Sequence, residues 1–233
     1  MPSVTTRTPD TGRRSCERFH VFLPPLDLAG ELRLPERARA MVIFAHGSGS
    51  SRLSPRNIMV AEALNDRGIA TLLFDLLSEA EANDRANVFD IPLLADRLAE
   101  AVRWTRRQPR VGRLPLGLFG ASTGAAAALI AAQQLEGDVG AVVSRGGRPD
   151  LAAHSLSRVT APTLLIVGGA DGDVITLNEQ ALARLQCIKQ IVIVPGATHL
   201  FPEPGALEQV IDHAASWFNR HLVRRGGATE QQA

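Results

Sequence analysis

Gly120-Ala121-Ser122-Thr123-Gly124 decides how this chain is read. The five residues form a G-x-S-x-G pattern between two apolar runs. Before them stands Leu114-Pro-Leu-Gly-Leu-Phe119, which reads as a buried strand. After them stands Ala125-Ala-Ala-Ala-Leu-Ile-Ala-Ala132, which reads as a helix. A serine on a sharp turn from strand to helix is forced out of the backbone ribbon, where a substrate can reach it. Glycines two residues before and two after let strand and helix approach without side-chain clash. The plainer reading of the same residues is a glycine-rich helix start with Ser122 as its N-cap. Residues elsewhere in the chain decide between the two.

Outward from that turn, strand and helix patterns alternate. Stretches 18–23 and 27–34 alternate apolar and polar residues and predict an antiparallel edge hairpin. Ala40-Met-Val-Ile-Phe-Ala45 is continuously apolar, the pattern of a strand buried on both faces of a parallel sheet. The loop from His46 to Arg56 precedes a helix over 57–67, which Gly68 closes. A strand over 69–76 and a helix over 91–107, capped by Asp90, come next. The strand 114–119 and the helix 123–134 flank Ser122. Strands over 139–144 and 163–168, a helix over 177–185, a strand over 190–194 and a helix over 203–222 complete the series. This order predicts an α/β fold, a mostly parallel sheet with helices on both faces and an antiparallel start.

The chain has 233 residues, enough for one α/β domain, expected over 15–224, with 1–14 and 225–233 as disordered tails. A formal net charge of +1 argues against nucleic acid or an anionic membrane as partner. Two cysteines, Cys16 and Cys187, are too few for a disulfide framework or a metal site and favour a reducing cytoplasm. The polar, arginine-bearing start does not read as a signal peptide, so none is expected. The longest wholly apolar run, 125–132, is far short of the roughly 20 residues that span a bilayer. A soluble cytoplasmic protein without membrane insertion is expected. No P-loop or dinucleotide fingerprint and no cluster with metal-ligand spacing is present, so no cofactor and no metal is expected.

In open parallel sheets, ligands bind beyond the carboxyl ends of the strands. The polar residues expected there include His46 to Arg52, Asp75, Ser122, Arg145, Asp171 and His199. A serine hydroxyl is nearly inert at neutral pH and needs a base within hydrogen-bond reach. Of six histidines, His199 is the best placed, in the loop Val194-Pro-Gly-Ala-Thr-His-Leu-Phe201 after the last strand. His213 and His221 fall in the closing helix, His20 in the edge hairpin and His154 in a short polar connection. An acid that orients the imidazole should follow the preceding strand, where Asp171 and Asp173 stand. Asp171, nearer the strand end, is favoured; the alternative is that both are turn residues.

With Ser122, Asp171 and His199 in that order, the chain resembles the α/β-hydrolases over about 19–222. It is most similar to their small, capless, dienelactone-hydrolase-like branch. His46-Gly47-Ser48-Gly49-Ser50-Ser51 is similar to that fold's oxyanion loop. The resemblance implies an oxyanion hole built from the backbone N–H groups of Ser48 and Thr123, with His46 holding the loop. Dienelactone hydrolases proper carry a cysteine nucleophile where this chain has Ser122, which favours ordinary ester chemistry. Only residues 145–160 lie where cap-bearing members insert a domain, so an open pocket and a small or medium acyl group are expected. Arg52, Arg56, Arg145 and Arg148 are candidates for the pocket mouth. Arg52 and Arg145 are assigned to substrate binding, which implies a carboxylate or phosphate on the substrate; the alternative is surface or ion-paired arginines. The expected function is a carboxylesterase-like serine hydrolase acting on a small-molecule ester. Lactone or thioester hydrolysis, acyl transfer, and a non-enzymatic small-molecule receptor stand as alternatives.

Overall fold

Strands that are apolar on both faces need cover on both, and the computed structural model shows how they obtain it. It describes residues 15–223; the stretches read as tails, 1–14 and 225–233, lie outside the described residues. The strands are β1 (Cys16–Leu23), β2 (Leu28–Pro35), β3 (Ala40–Ala45), β4 (Ile69–Phe74), β5 (Leu116–Ala121), β6 (Ala141–Arg145), β7 (Thr163–Gly168) and β8 (Lys189–Val194). They form one sheet in the order β1-β2-β4-β3-β5-β6-β7-β8. β1 and β2 make the expected antiparallel hairpin, with Leu23 opposite Leu28, and β2 pairs antiparallel with β4. Every other pairing is parallel.

The helices are α1 (Pro55–Asp66), α2 (Glu79–Ala82), α3 (Arg85–Val88), α4 (Ile91–Arg106), α5 (Thr123–Gln134), α6 (Gly172–Arg184) and α7 (Ala206–Phe218). Val60, Ala61 and Leu64 of α1 and Val210, Ala214 and Phe218 of α7 pack on one face of the sheet. Residues of α4, α5 and α6 pack on the other. Every residue of β3, β4, β5 and β7 is therefore buried. Each buried Leu, Ile or Phe contributes roughly 1.5–3 kcal/mol.

The chain leaves β3 through α1 on one face and returns to β5 through α4 on the other. The carboxyl ends of β3 and β5, neighbours in the sheet, thus send their loops in opposite directions. That is the switch point at which open α/β sheets bind ligands. The His46 loop and the Ser122 turn leave from it.

The structure differs from the sequence expectation mainly at helix ends. α6 begins at Gly172 rather than 177, because Val174, Asn178 and Ala181 recur at helical spacing and all turn inward. The Asp-Gly pair that reads as a turn is the junction into this helix. α7 begins only at Ala206, since Gly205 takes a left-handed φ of 77°. After Phe218 the winding widens into a π-turn over Asn219–Val223. The stretch 145–160 forms two short 3-10 turns, Pro149–Ala152 and Leu156–Arg158, and no cap domain. Among the described residues, no helix is long and apolar enough to cross a membrane.

Candidate active site

Ser122 sits between β5 and α5 with φ 52° and ψ −123°. This is a left-handed φ for a residue with a Cβ, a conformation that costs on the order of 1–3 kcal/mol and persists only where the surroundings enforce it. They do so through three backbone bonds. The Ser122 N–H donates to the Arg145 carbonyl at 3.2 Å, and its own carbonyl accepts from Ala125 and Arg148, each at 3.1 Å. A Cβ on Gly120 would lie 2.4 Å from the Ala125 Cα, so only glycine lets strand and helix meet so closely. Although Ser122 holds the N-cap position of α5, its hydroxyl makes no cap hydrogen bond. The plainer N-cap reading therefore fails; the hydroxyl faces His199.

His199 Nε2 lies 3.3 Å from Ser122 Oγ, and His199 Nδ1 lies 2.7 Å from Asp171 Oδ2. A carboxylate at Nδ1 places the imidazole proton there, which leaves the Nε2 lone pair facing the serine hydroxyl. The loops that carry the acid and the histidine brace each other. The Gly169 N–H donates to the Val194 carbonyl at 2.7 Å, and that of Ala170 to the Ala197 carbonyl at 2.9 Å. Just beyond His199, Phe201 is buried with φ 56°, a second strained residue that fixes the loop and that no sequence pattern marks. Asp173, the rival acid, points to solvent in the first turn of α6. His213 lies in α7, and His20 in β1, at the far edge of the sheet.

The loop after β3 approaches the serine from the other side. A Cβ on Gly47 would meet the Ser122 Cβ at 2.9 Å. His46 is half-buried and bonds at both nitrogens: Nδ1–H donates to the Gly47 carbonyl at 3.0 Å, and Nε2 accepts from the Leu76 N–H at 3.1 Å. Burial pushes its pKa below the ordinary histidine value, so the ring is neutral and ties the loop to the end of β4. The Ser48 N–H is engaged: it donates to Thr123 Oγ1 at 2.8 Å. That side-chain contact joins the two expected oxyanion residues and is invisible in the sequence. The two stand 75 positions apart, and the sequence between them carries no pattern that predicts it.

The arginines divide. Arg52 is held by Asp75, which accepts from its backbone N–H at 2.7 Å and from its guanidinium. Arg148 forms a two-pronged pair with Asp150, at 2.9 and 2.8 Å. Arg145 is buried and donates to Asn57 Oδ1 at 3.0 Å. A cavity of about 740 Å³ lies beside the His46–Leu53 loop, walled by Leu26, Leu53, Leu77, Val88 and the Arg52–Asp75 pair. Ser122, Asp171 and His199 are not in its wall. Gly47 and Ser48, the loop residues beside Ser122 and Thr123, do line it. Both cysteines are free, and burial raises each thiol pKa, so neither is an activated thiolate. No group of three His, Cys, Asp or Glu side chains among the described residues is placed to hold a metal.

Residues 38–215 match the family model described as an alpha/beta hydrolase domain. The chain is similar to the crystal structure of dienelactone hydrolase from Anabaena variabilis, at 51% identity and a TM-score of 0.86. That match covers 89% of this chain and 99% of the other. Est1E from Butyrivibrio proteoclasticus shares the fold, with a TM-score of 0.75 at 15% identity over 88% of this chain and 98% of its own. Two Mycobacterium tuberculosis proteins, each named "Putative phosphoribosyl transferase", are 57% identical over 210 residues. The match takes in 90% of this chain and 47% of theirs, so the chain spans about half the length of these curated relatives.

Proposed function

The chain belongs to the α/β-hydrolase family and is dienelactone-hydrolase-like, and from that premise we propose that it is a serine hydrolase of carboxylic esters. The observation that carries the reading is the unbroken path from Asp171 through His199 to Ser122. Ser122 Oγ attacks the ester carbonyl while His199 Nε2 takes its proton, and Asp171 holds the ring and stabilises the imidazolium. The oxyanion is met by the backbone N–H groups of Thr123, in the unbonded first turn of α5, and of Ser48. The Ser48 N–H, bonded to the Thr123 hydroxyl at rest, turns or shares its proton as the oxygen gains charge. His199 protonates the departing alcohol and then activates the water that clears the acyl-enzyme.

A serine in place of cysteine, and two short turns where a cap would be inserted among the described residues, favour simple esters of small or medium acyl chain. The mycobacterial relatives' transferase name belongs to proteins about twice this length. That name is not carried over to this chain, whose Asp171–His199–Ser122 path fits acyl transfer to water. The test is hydrolysis of p-nitrophenyl esters of graded chain length by the wild type and by Ser122→Ala. Turnover confined to the wild type is expected. Equal turnover by the variant would refute the assignment. Added acceptor alcohols separate hydrolysis from acyl transfer to an alcohol other than water.

A further inference from the structure

Arg145 is only 5% exposed, yet the charge it faces is another cation. Its Nη2 bonds the neutral Asn57, and its Nε is buried without a hydrogen-bond partner. The Nε of Arg56 is likewise buried and unpartnered. Burial first, and the Arg56 charge second, push the Arg145 pKa down to about 10. A buried guanidinium beside a second, half-buried one, with no counter-charge among the described residues, is costly, and an anion between them removes the cost. Guanidinium matches carboxylate and phosphate geometry two bonds at a time. Arg56 and Asn57 also open α1, a helix of 12 residues whose N-terminal end carries partial positive charge. By contrast Arg52 and Arg148 are already neutralised by Asp75 and Asp150.

The cluster joins the triad through the Arg145 backbone. The Arg145 carbonyl accepts the Ser122 N–H, and a Cβ on the next residue, Gly146, would lie 2.8 Å from the His199 carbonyl oxygen. α1 follows directly on the loop that carries Ser48. We propose that Arg145, Arg56 and Asn57 form an oxyanion-binding site that holds a carboxylate or phosphate of the ester substrate beside Ser122. The proposal rests on the serine-hydrolase reading for its substrate, though not for the binding itself.

Inorganic phosphate and succinate, each titrated at constant ionic strength into Ser122→Ala, are the probes, with the rise in Tm as readout. At least one anion should raise Tm, with affinity about tenfold weaker in Arg56→Gln and in Arg145→Gln, the scale of one lost charged hydrogen bond. No rise, or a rise that survives Arg56→Gln, would overturn the site. If Arg145→Gln fails to fold, the partly exposed Arg56 decides alone. Preference for phosphate or for succinate tells which oxyanion the site fits. Turnover of 4-acetoxybenzoate against its methyl ester then tests the substrate role. The wild type should favour the anionic ester, and Arg56→Gln should lose that preference. An identical ratio in both proteins would overturn the role. Anion binding without turnover of any ester would sink the hydrolase reading and leave the site; turnover without anion binding would do the reverse.

Discussion

Gly124→Ala is the sharpest test of how the nucleophile turn is built. A Cβ at this position would lie 2.3 Å from the Ala45 carbonyl oxygen and 2.4 Å from that of His46. Both distances are about 1 Å inside ordinary van der Waals contact, and both neighbours are backbone at the end of β3. No rotamer relieves the overlap, so the start of α5 must move away from the oxyanion loop. Overpacking of this kind costs about 1–3 kcal/mol, and a backbone-on-backbone clash belongs at the upper end. The shift separates Thr123 from Ser48, the two residues proposed to hold the oxyanion, and breaks the 2.8 Å bond between them. A displacement of about 1 Å at such a site costs roughly 10²-fold in rate. Urea unfolding and kcat/KM on a p-nitrophenyl ester measure the two effects separately. A variant with wild-type midpoint and wild-type kcat/KM would refute the argument that close backbone approach sets the site. Lost stability with unchanged kcat/KM would refute the catalytic half alone.

Asp171→Asn should fold normally and lose about 10⁴-fold in kcat, as the equivalent change does in serine-protease triads, because an amide facing Nδ1 favours the wrong tautomer. A loss below tenfold in the same ester assay would mean that Asp171 does not orient His199. His46 ties stability to pH with a definite sign. Its folded pKa is depressed below 6.5, so the unfolded chain binds the proton more readily. The contribution is complete above about pH 6.5 and is lost as pH falls through the depressed value. Urea midpoints from pH 8 to pH 5 should fall more steeply for the wild type than for His46→Gln; parallel profiles would show that His46 is not held neutral.

Much of this protein was legible before any folding. The turn at Ser122 was readable because its requirements are local: a buried strand, an alanine-rich helix and glycines two residues to either side. The apolar run of β3 announced a strand covered on both faces, and the alternation in β1 and β2 announced the edge hairpin. Chain order also picked out Asp171 and His199, which the fold brings to within hydrogen-bond reach of each other and of Ser122 across 28 and 77 residues. Where α6 begins was not legible, because the inward turn of Val174 and Asn178 depends on what packs beneath them. Nor was the division of the arginines. Arg52 meets Asp75 only because β3 and β4 are neighbours, whereas Arg145 meets Asn57, 88 residues away, and a second cation. Strand, turn and helix are chosen by residues a few positions apart, which one sequence displays. Whether a charge is buried, paired or left facing its like depends on which strand ends the sheet order sets side by side, and only the tertiary structure decides that.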